Sequence, residues 1–266
     1  MYDHFNRRIN YLRISVTDRC NLRCRYCMPE HGVELLRHQD ILSLEEIFEV
    51  AKVATDFGVD KVRLTGGEPL VRKGVTRLIT MLSQLKTIND LSLTTNATLL
   101  SQFTQPLVEA GLHRINISLD TINPEKYKEI TRGGDISTVF RGIEAAQKAG
   151  LNPIKINCVV KNSSDEEDAV QISNFCRQHQ LQVRFIHQMN LKTGEFSKVE
   201  GGSGGDCSHC NRIRLTANGK LKPCLFNDFE FDVRKLGAKD AFLKAVEFKP
   251  KNGTTNTHGH FYTIGG

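Results

Sequence analysis

The sequence lacks three features, and each absence narrows the classes of protein that it can encode. No apolar run is long enough to cross a bilayer, and the charged segment 1–10 lacks the apolar core of a signal peptide. The net charge is +6, but the basic residues form no dense patch in the sequence, which disfavours a nucleic-acid partner. If the positive charge serves binding, an anionic small molecule is the more plausible substrate. We therefore expect a cytoplasmic protein whose eight cysteines serve metal binding more than disulfides.

Three of the cysteines lie close together near the start of the chain. Cys20, Cys24 and Cys27 form a CxxxCxxC pattern directly after the strand-like segment 12–16. Three thiolates can bind three irons of a [4Fe–4S] cluster and leave the fourth iron open to a small molecule. With Tyr26 before the third cysteine, this spacing is typical of radical S-adenosylmethionine (SAM) enzymes. The alternative is a zinc site or disulfides, but zinc sites usually have CxxC pairs and four ligands, and the sequence offers no fourth ligand nearby.

A second group of three cysteines follows near the C-terminus. Cys207 and Cys210 form a CxxC pattern, and Cys224 comes after thirteen intervening residues. This triad again leaves one coordination position over, which favours a second iron–sulfur cluster. A zinc knuckle with His209 as fourth ligand stays open, although His209 lies inside the short CxxC loop and has little room to turn back. The remaining two cysteines, at positions 158 and 176, are predicted to be small buried hydrophobic residues.

Strand and helix patterns alternate over the first two thirds of the chain. Apolar segments predict strands at 12–16, 61–64, 91–94, 114–118, 154–160 and 182–186. Helical patterns lie between them at 43–57, 74–85, 101–110, 139–149 and 165–179, and Ser43 with Glu46 forms a capping box. This alternation predicts an α/β fold, a partial open (β/α)6 barrel over residues 1–190, with the active site at the C-terminal ends of its strands.

The pattern changes after the sixth predicted strand. Residues 192–205 are polar and end in Gly-Gly-Ser-Gly-Gly, which reads either as a flexible linker or as a cluster-binding loop. A hairpin is predicted next, with strands at 212–216 and 220–226, and then a short helix at 239–247. Residues 191–266 are thus expected to form a small C-terminal iron–sulfur region that carries the second triad.

A glycine-rich segment follows the second predicted strand. In the run Thr65-Gly66-Gly67-Glu68-Pro69, the glycines would let the backbone approach a ligand, and Glu68 supplies a carboxylate beside it. Alone, the segment is more simply a turn. Behind a CxxxCxxC loop, it matches the segment that holds the methionyl amino group of SAM.

Several motifs together resemble one family of radical SAM enzymes. In chain order they are LRISVTDRC at 12–20, LTGGEPL at 64–70, LTTN at 93–96, INISLD at 115–120, RFI at 184–186, CxxCNRIRL at 207–215, CLF at 224–226 and the terminal Gly-Gly. They cover nearly the whole chain and resemble the MoaA family, radical SAM GTP 3',8-cyclases (lyases) that open molybdenum cofactor biosynthesis. The second triad and the Gly-Gly end are more specific to this family than the first triad.

The resemblance implies a role for each matching position. Metal ligands are implied at Cys20, Cys24, Cys27, Cys207, Cys210 and Cys224. SAM-binding residues are implied at Tyr26, Gly67, Glu68, Ser118 and Met189. GTP-binding residues are implied at Arg13, Arg63, Thr94, Lys155, Arg212 and Arg214. Catalytic roles are implied for Arg212, Arg214, Gly265 and Gly266.

The resemblance also implies a reaction and its participants. Two [4Fe–4S] clusters and SAM are the expected cofactors, and a 5'-deoxyadenosyl radical would abstract the 3' hydrogen of GTP to give 3',8-cyclo-7,8-dihydro-GTP. A flavodoxin- or ferredoxin-type protein would supply electrons, and cyclic pyranopterin monophosphate synthase would act downstream.

The chain departs from the family pattern in two places. The segment before Cys207 is shorter than in the family, and His187 stands where the family usually carries Glu. These departures leave open a paralogue that acts on another nucleotide. A radical SAM peptide maturase with an auxiliary cluster is a further alternative, although such enzymes favour more C-terminal cysteines.

Overall fold

The computed structural model describes residues 1–259 and 261–264, with the side chain of Tyr262 left aside. Within these residues, nine strands form one sheet in the spatial order β6-β5-β4-β3-β2-β1-β7-β8-β9. The strands are β1 (Tyr11–Ser15), β2 (Lys61–Thr65), β3 (Asp90–Thr95), β4 (Arg114–Ser118), β5 (Ile154–Val160), β6 (Gln182–His187), β7 (Arg212–Leu215), β8 (Lys220–Lys222) and β9 (Phe231–Asp232). All six predicted strands are confirmed to within two residues.

The C-terminal hairpin does not stand apart from the barrel sheet. Its first strand, β7, pairs in parallel with β1, so that the described chain has seven consecutive parallel strands where six were predicted. The antiparallel partner β8 is shorter than predicted, and β9 adds a third strand. Because β6 and β9 are the two ends of the strand order, the sheet is open, as predicted. The boundary at residue 190 stays a prediction.

Helices follow the parallel strands at the predicted places. They are α1 (Leu44–Asp56), α2 (Val75–Ser83), α3 (Leu100–Glu109), α4 (Pro124–Thr131), α5 (Ile136–Lys148), α6 (Glu167–Gln178), α7 (Val233–Leu236), α8 (Ala238–Glu247) and α9 (Phe261–Ile264). Helices α4, α7 and α9 were not predicted. For α4 a typical start signal is present, since Asn123 caps it and Pro124 occupies its first turn. No described helix is long and apolar enough to cross a membrane.

The two faces of the sheet differ in chemistry because strand side chains alternate. In β1, Leu12 and Ile14 are fully buried in the core that the sheet shares with the helices. On the opposite face, Arg13 lies beside Arg63 of β2 and Arg214 of β7 in the strand register. The apolar face therefore stabilises the fold, and the polar face lines the barrel interior.

The glycine-rich segment packs against the free edge of β6. Phe185 and Glu200 exchange backbone hydrogen bonds of 3.1 and 3.0 Å. Gly201 has a φ of 72°, and a Cβ atom there would lie 2.7 Å from the carbonyl oxygen of Val183. Only glycine fits this position, so the segment forms a close turn that covers part of the strand edge.

The capping box of α1 gives a test of the local sequence signals. The Ser43 hydroxyl accepts a hydrogen bond from the Glu46 amide at 3.1 Å, and the Glu46 carboxylate accepts one from the Ser43 amide at 2.7 Å. We expect Ser43→Ala to lower the free energy of unfolding by ~1 kcal/mol, measured by denaturant titration. Ser101→Ala on the exposed face of α3 is the control. An equal loss in both variants would contradict the capping role.

Candidate active site

The first cysteine triad lies in the loop after β1, and the loop after β2 supports it. The amide of Gly67 donates to the carbonyl of Thr17, and that of Glu68 donates to the carbonyl of Arg19, both at 2.8 Å. A Cβ atom on Gly67 would collide with the Arg19 carbonyl. The glycine therefore allows close packing of the β2 loop against the residue that precedes Cys20.

Glu68 links three backbone segments around the first triad. Its buried carboxylate accepts hydrogen bonds from the Thr95 hydroxyl and the Asn96 amide, both at 2.7 Å, and from the Leu70 amide at 3.0 Å. Burial raises the pKa of Glu68 to about 7, against the effect of these hydrogen bonds. The Asn96 side chain in turn contacts the sulphur of Cys20 at 3.8 Å.

The thiols of the first triad fit a bound iron–sulfur cluster. Burial, then Asp120 and the neighbouring thiols, raise the pKa of Cys24 to about 12, and burial also raises that of Cys27 to about 12. Thiolates this close together need a positive group between them, which iron supplies. Among the described residues, no three His, Cys, Asp or Glu side chains converge as a single metal ion requires. In a four-iron cube each cysteine binds its own iron, which suits this donor set.

Two predicted SAM-binding residues lie beside this triad. A cavity of about 30 Å³ is lined by Cys24, Tyr26, Ser118 and Asp120, among others. Tyr26 and Asp120 line this cavity together, and Asp120 accepts a hydrogen bond from the amide of Val159 at 2.8 Å. Desolvation raises the pKa of Asp120 to about 6. Asp120 lies in the INISLD motif and was not singled out from the sequence, yet it lines the same cavity as Tyr26, which belongs to the cysteine loop.

Arginines from three adjacent strands form a cationic group in the barrel interior. Arg13 of β1 is the register partner of both Arg63 on β2 and Arg214 on β7. Burial, then the charge of Arg214 and that of Arg63, lower the pKa of Arg13. Burial and the charge of Arg212 lower the pKa of Arg214 to about 10. Buried like charges at this density favour an anionic ligand.

The carboxylate of Asp90 lies near the cations that β2 and β5 contribute to this region. Burial lowers the pKa of Lys155, and Asp90 acts against that shift. Both oxygens of Asp90 are already bound by Arg114, at 2.8 and 2.6 Å. Arg184 of β6, which the sequence analysis did not select, is charge-coupled to Lys155 and to Arg63. The sequence could have indicated Arg184, because side chains two residues apart on a strand point to the same face. Arg184 follows Gln182 by two residues, and Gln182 is the register partner of Lys155.

Unused polar atoms also face this region. Within the described part of the chain, the hydroxyl of Thr94, the hydroxyl of Tyr11 and the side-chain oxygen of Asn157 are buried without a hydrogen-bond partner. A buried polar atom without a partner is costly, so such a group indicates a site that a ligand completes. Thr94 was predicted from the sequence, whereas Tyr11 and Asn157 were not.

The second triad lies at the opposite end of the barrel from the first. Cys210 precedes β7, and β7 runs parallel to β1, whose far end leads to Cys20. The four-residue rise of β1 separates the two ends by about 13 Å. The first triad therefore follows the C-terminal end of β1, where active-site residues were expected, whereas the second triad lies at the N-terminal end of β7.

The side chain of His209 is turned to solvent and contacts Asp206. Its side chain is 81% exposed, and Nδ1 lies 3.2 Å from Asp206 Oδ2 and 3.0 Å from the Ser208 hydroxyl. The fourth ligand of the zinc alternative thus points to solvent. Burial raises the pKa of Cys210, but Lys249 and Arg212 outweigh it and hold that pKa at about 6. A thiolate in this cationic setting fits an iron–sulfur cluster.

The backbone around the second triad is fixed by a residue that the sequence analysis missed. The guanidinium of Arg7 donates to the carbonyl oxygens of Cys207 at 2.7 Å, Pro250 at 2.7 Å and Lys251 at 3.0 Å. Its Nε donates to Asp3 at 2.7 Å. No local pattern marks this role of Arg7, because the three carbonyl groups that it binds lie 200 or more residues away.

The remaining predicted residues are placed as follows. The guanidinium of Arg212 lies 3.8 Å from the Cys210 sulphur. Met189 packs against the small cluster of Leu191, Leu225, Phe226 and Ile264. Gly265 and Gly266 lie outside the described residues. The cysteines at 158 and 176 are each 1% exposed, which confirms them as core residues.

Comparison with known proteins agrees with this geometry. The Radical SAM superfamily matches residues 14–176, and Molybdenum Cofactor Synthesis C matches residues 167–251. The GTP 3',8-cyclase of Alkaliphilus metalliredigens is 40% identical over 98% of this chain and 96% of its own. That of Moorella thermoacetica is 42% identical over 94% of each chain. The first of these alignments extends over 310 positions, more than the 266 residues of this chain, so it contains insertions in the relative.

Solved structures agree with the fold at lower identity. Streptococcus suis SuiB bound to S-adenosylmethionine has a TM-score of 0.66 at 17% identity, over 93% of this chain and 65% of SuiB. The anSMEcpe structure with bound AdoMet has a TM-score of 0.60 at 18% identity, over 91% of this chain and 81% of that one. These two similarities concern the fold alone. With two cysteine triads on an open parallel barrel and near-full-length relatives at about 40% identity, the chain belongs to the radical SAM superfamily and, within it, to the GTP 3',8-cyclase family.

Proposed function

We propose that this chain converts GTP to 3',8-cyclo-7,8-dihydro-GTP, the first step of molybdenum cofactor biosynthesis, with the nucleotide held between the two cysteine triads. One observation carries the proposal. The register partners Arg214, Arg13 and Arg63 form a buried cationic group in the barrel, between strand ends that lead to the two triads.

The triphosphate is the part of the substrate that this cationic group recognises. Guanidinium groups bind phosphate oxygens in pairs of parallel hydrogen bonds, and their planar donors suit a polyanion better than a point charge. Lys155 and Arg184 add positive charge from β5 and β6. The unused hydroxyl of Thr94 offers a hydrogen bond to the same ligand.

The two triads hold the cofactors at either end of the nucleotide. When bound, SAM and the cluster of Cys20, Cys24 and Cys27 supply hydrogen-atom abstraction, and the cluster of Cys207, Cys210 and Cys224 offers an open iron to the guanine. The chain itself orients these groups. Glu68 and Asn96 fix the first cysteine loop, and Tyr26, Ser118 and Asp120 line the cavity beside it. Gly67 and Met189 are the further residues that we propose for SAM binding.

Arg212 and Arg214 are proposed to act in catalysis as well as in binding. Both are on β7, next to Cys210, so that they can hold the phosphate and the base in one orientation relative to both triads. Holding reacting groups in a fixed orientation lowers the entropic part of the barrier.

The same proposal includes partners and location. A flavodoxin- or ferredoxin-type donor would supply electrons, cyclic pyranopterin monophosphate synthase would take the product, and the enzyme would work in the cytoplasm. Near-full-length cyclase relatives favour this function over a peptide maturase, whose similarity is confined to the fold.

Cysteine variants test the two-cluster arrangement. We expect the anaerobically reconstituted protein to hold roughly eight iron atoms, and Cys24→Ala or Cys210→Ala to hold roughly four. Cys24→Ala should abolish SAM cleavage. Cys210→Ala should still cleave SAM but should not turn over GTP, and Cys176→Ala is the control. A preparation with one zinc ion and one cluster would overturn the proposal.

The cationic group is tested by ligand binding. Arg63→Met should weaken GTP binding roughly 10- to 100-fold, because a hydrogen bond to a charged group contributes ~1.5–3 kcal/mol. Guanosine binding should change little, and the exposed Arg77→Met is the matched control. Calorimetry that finds equal affinity for GTP and guanosine in the unaltered protein would count against a triphosphate site.

The C-terminal glycines are proposed to enter the barrel. Ile264, which precedes them, is buried in the cluster against which Met189 packs. Removing Gly265 and Gly266, or replacing both with Val, should leave roughly eight irons bound while GTP turnover falls at least tenfold. Wild-type turnover by the truncated chain would rule out this role.

A further inference from the structure

A buried lysine lies against the second cysteine triad and is not used by the reaction proposed above. Lys249 is 3% exposed and follows α8, which ends at Glu247. An ammonium group loses much favourable hydration when it is buried, so lysine is rarely buried without partners. The contacts of this side chain therefore indicate what the group is there to bind.

Two backbone carbonyl groups hold the ammonium group of Lys249. Its Nζ donates to the carbonyl oxygen of Arg212 at 2.7 Å and to that of Pro223 at 2.8 Å. An ammonium group has three donors, so one remains for a further partner beside the triad.

The two carbonyl partners lie on either side of the triad. Arg212 follows Cys210 by two residues, and Pro223 directly precedes Cys224. A single side chain thus connects the CxxC loop to the distant third cysteine. This connection adds to the β7–β8 pairing, which joins the same two segments.

The charge of Lys249 has the thiols as its opposite partners. The two carbonyl contacts place its ammonium group between the segments that carry Cys210 and Cys224. A buried cation is stable only when negative charge compensates it. Thiolates bound to iron remain negative, whereas free thiols can be neutral, so the compensation is strongest when the triad holds a cluster.

We propose that Lys249 is a positioning residue of the second cluster: its ammonium group fixes the backbone on both sides of the triad and raises the reduction potential of the cluster held there. Hydrogen bonds and charge next to cluster sulphurs are established determinants of potential in iron–sulfur proteins generally. This inference rests on the proposed function, because both require a cluster at the second triad.

The test measures the potential of the second cluster alone. Cys20, Cys24 and Cys27 are replaced by serine in the full chain, the protein is reconstituted with iron and sulfide, and the cluster is titrated by electron paramagnetic resonance. In this background, Lys249→Gln removes the charge and keeps an N–H donor. We expect it to lower the ratio of reduced to oxidised cluster at least tenfold at a fixed potential, a downward shift of at least 59 mV for a one-electron couple.

Two further variants separate charge from general disturbance. Lys249→Arg keeps the charge and should stay within a factor of two of the unaltered ratio. Lys251→Gln removes an exposed charge two residues away and should also stay within a factor of two. Circular dichroism checks that each variant is folded. If Lys249→Gln does not fold, Lys249→Arg decides: an unaltered ratio supports the inference, and a tenfold change overturns it.

The possible failures are distinguishable. If the triple-serine protein holds no iron, the second cluster is absent, and the proposed function fails together with the inference. If it holds iron and Lys249→Gln has the unaltered potential, the inference alone is overturned.

Discussion

The parallel pairing of β1 with β7 is the contact on which the rest of the site depends. It joins segments about 200 residues apart in sequence and sets Arg13 beside Arg214, and Tyr11 beside Arg212. The backbone contact extends to the residue before β7, because the amide of Tyr11 donates to the carbonyl of Asn211 at 3.2 Å. Because the strands are parallel, the loop after β1 and the loop before β7 must lie at opposite ends of the barrel. One register therefore sets both the separation of the two triads and the cationic surface between them.

The cationic surface has an energetic cost that the fold must meet. Buried guanidinium groups repel one another, and the Asp90 carboxylate, which acts to raise the pKa of Arg63, also binds Arg114. The apolar face of the same strands, with fully buried side chains such as Leu12 and Ile14, supplies the compensating stability. A bound polyanion relieves the repulsion, so ligand binding and folding stability are thermodynamically linked. The protein is consequently expected to be less stable without nucleotide than with it.

Local sequence patterns predicted the features that local physics determines. The alternation of apolar strands and amphipathic helices placed β1 to β6, and Ser43 with Glu46 placed the start of α1. The spacing of the cysteines selected both triads. In contrast, the register of β7, the contacts of Arg7 and the position of Lys249 depend on segments far apart in the chain. No short pattern encodes them, since each residue alone resembles an ordinary surface cation. The cysteine spacing likewise could not show where the side chain of His209 points. The structure shows that it contacts Asp206.

The short connection between β6 and β7 shows how the open side of the barrel is managed with few residues. An edge strand exposes unpaired backbone groups, and these favour association with other chains unless something covers them. Here the backbone bridge between Phe185 and Glu200 covers part of the β6 edge, and the left-handed turn at Gly201 brings the chain close to Val183. The same segment reaches the other side of the opening, where the carbonyl of Ser203 accepts from the Arg212 guanidinium at 3.5 Å. Glycine permits this close turn because it has no Cβ atom. The glycine content of the segment is therefore explained by the need to cover a strand edge within a short connection, and no flexible linker is required.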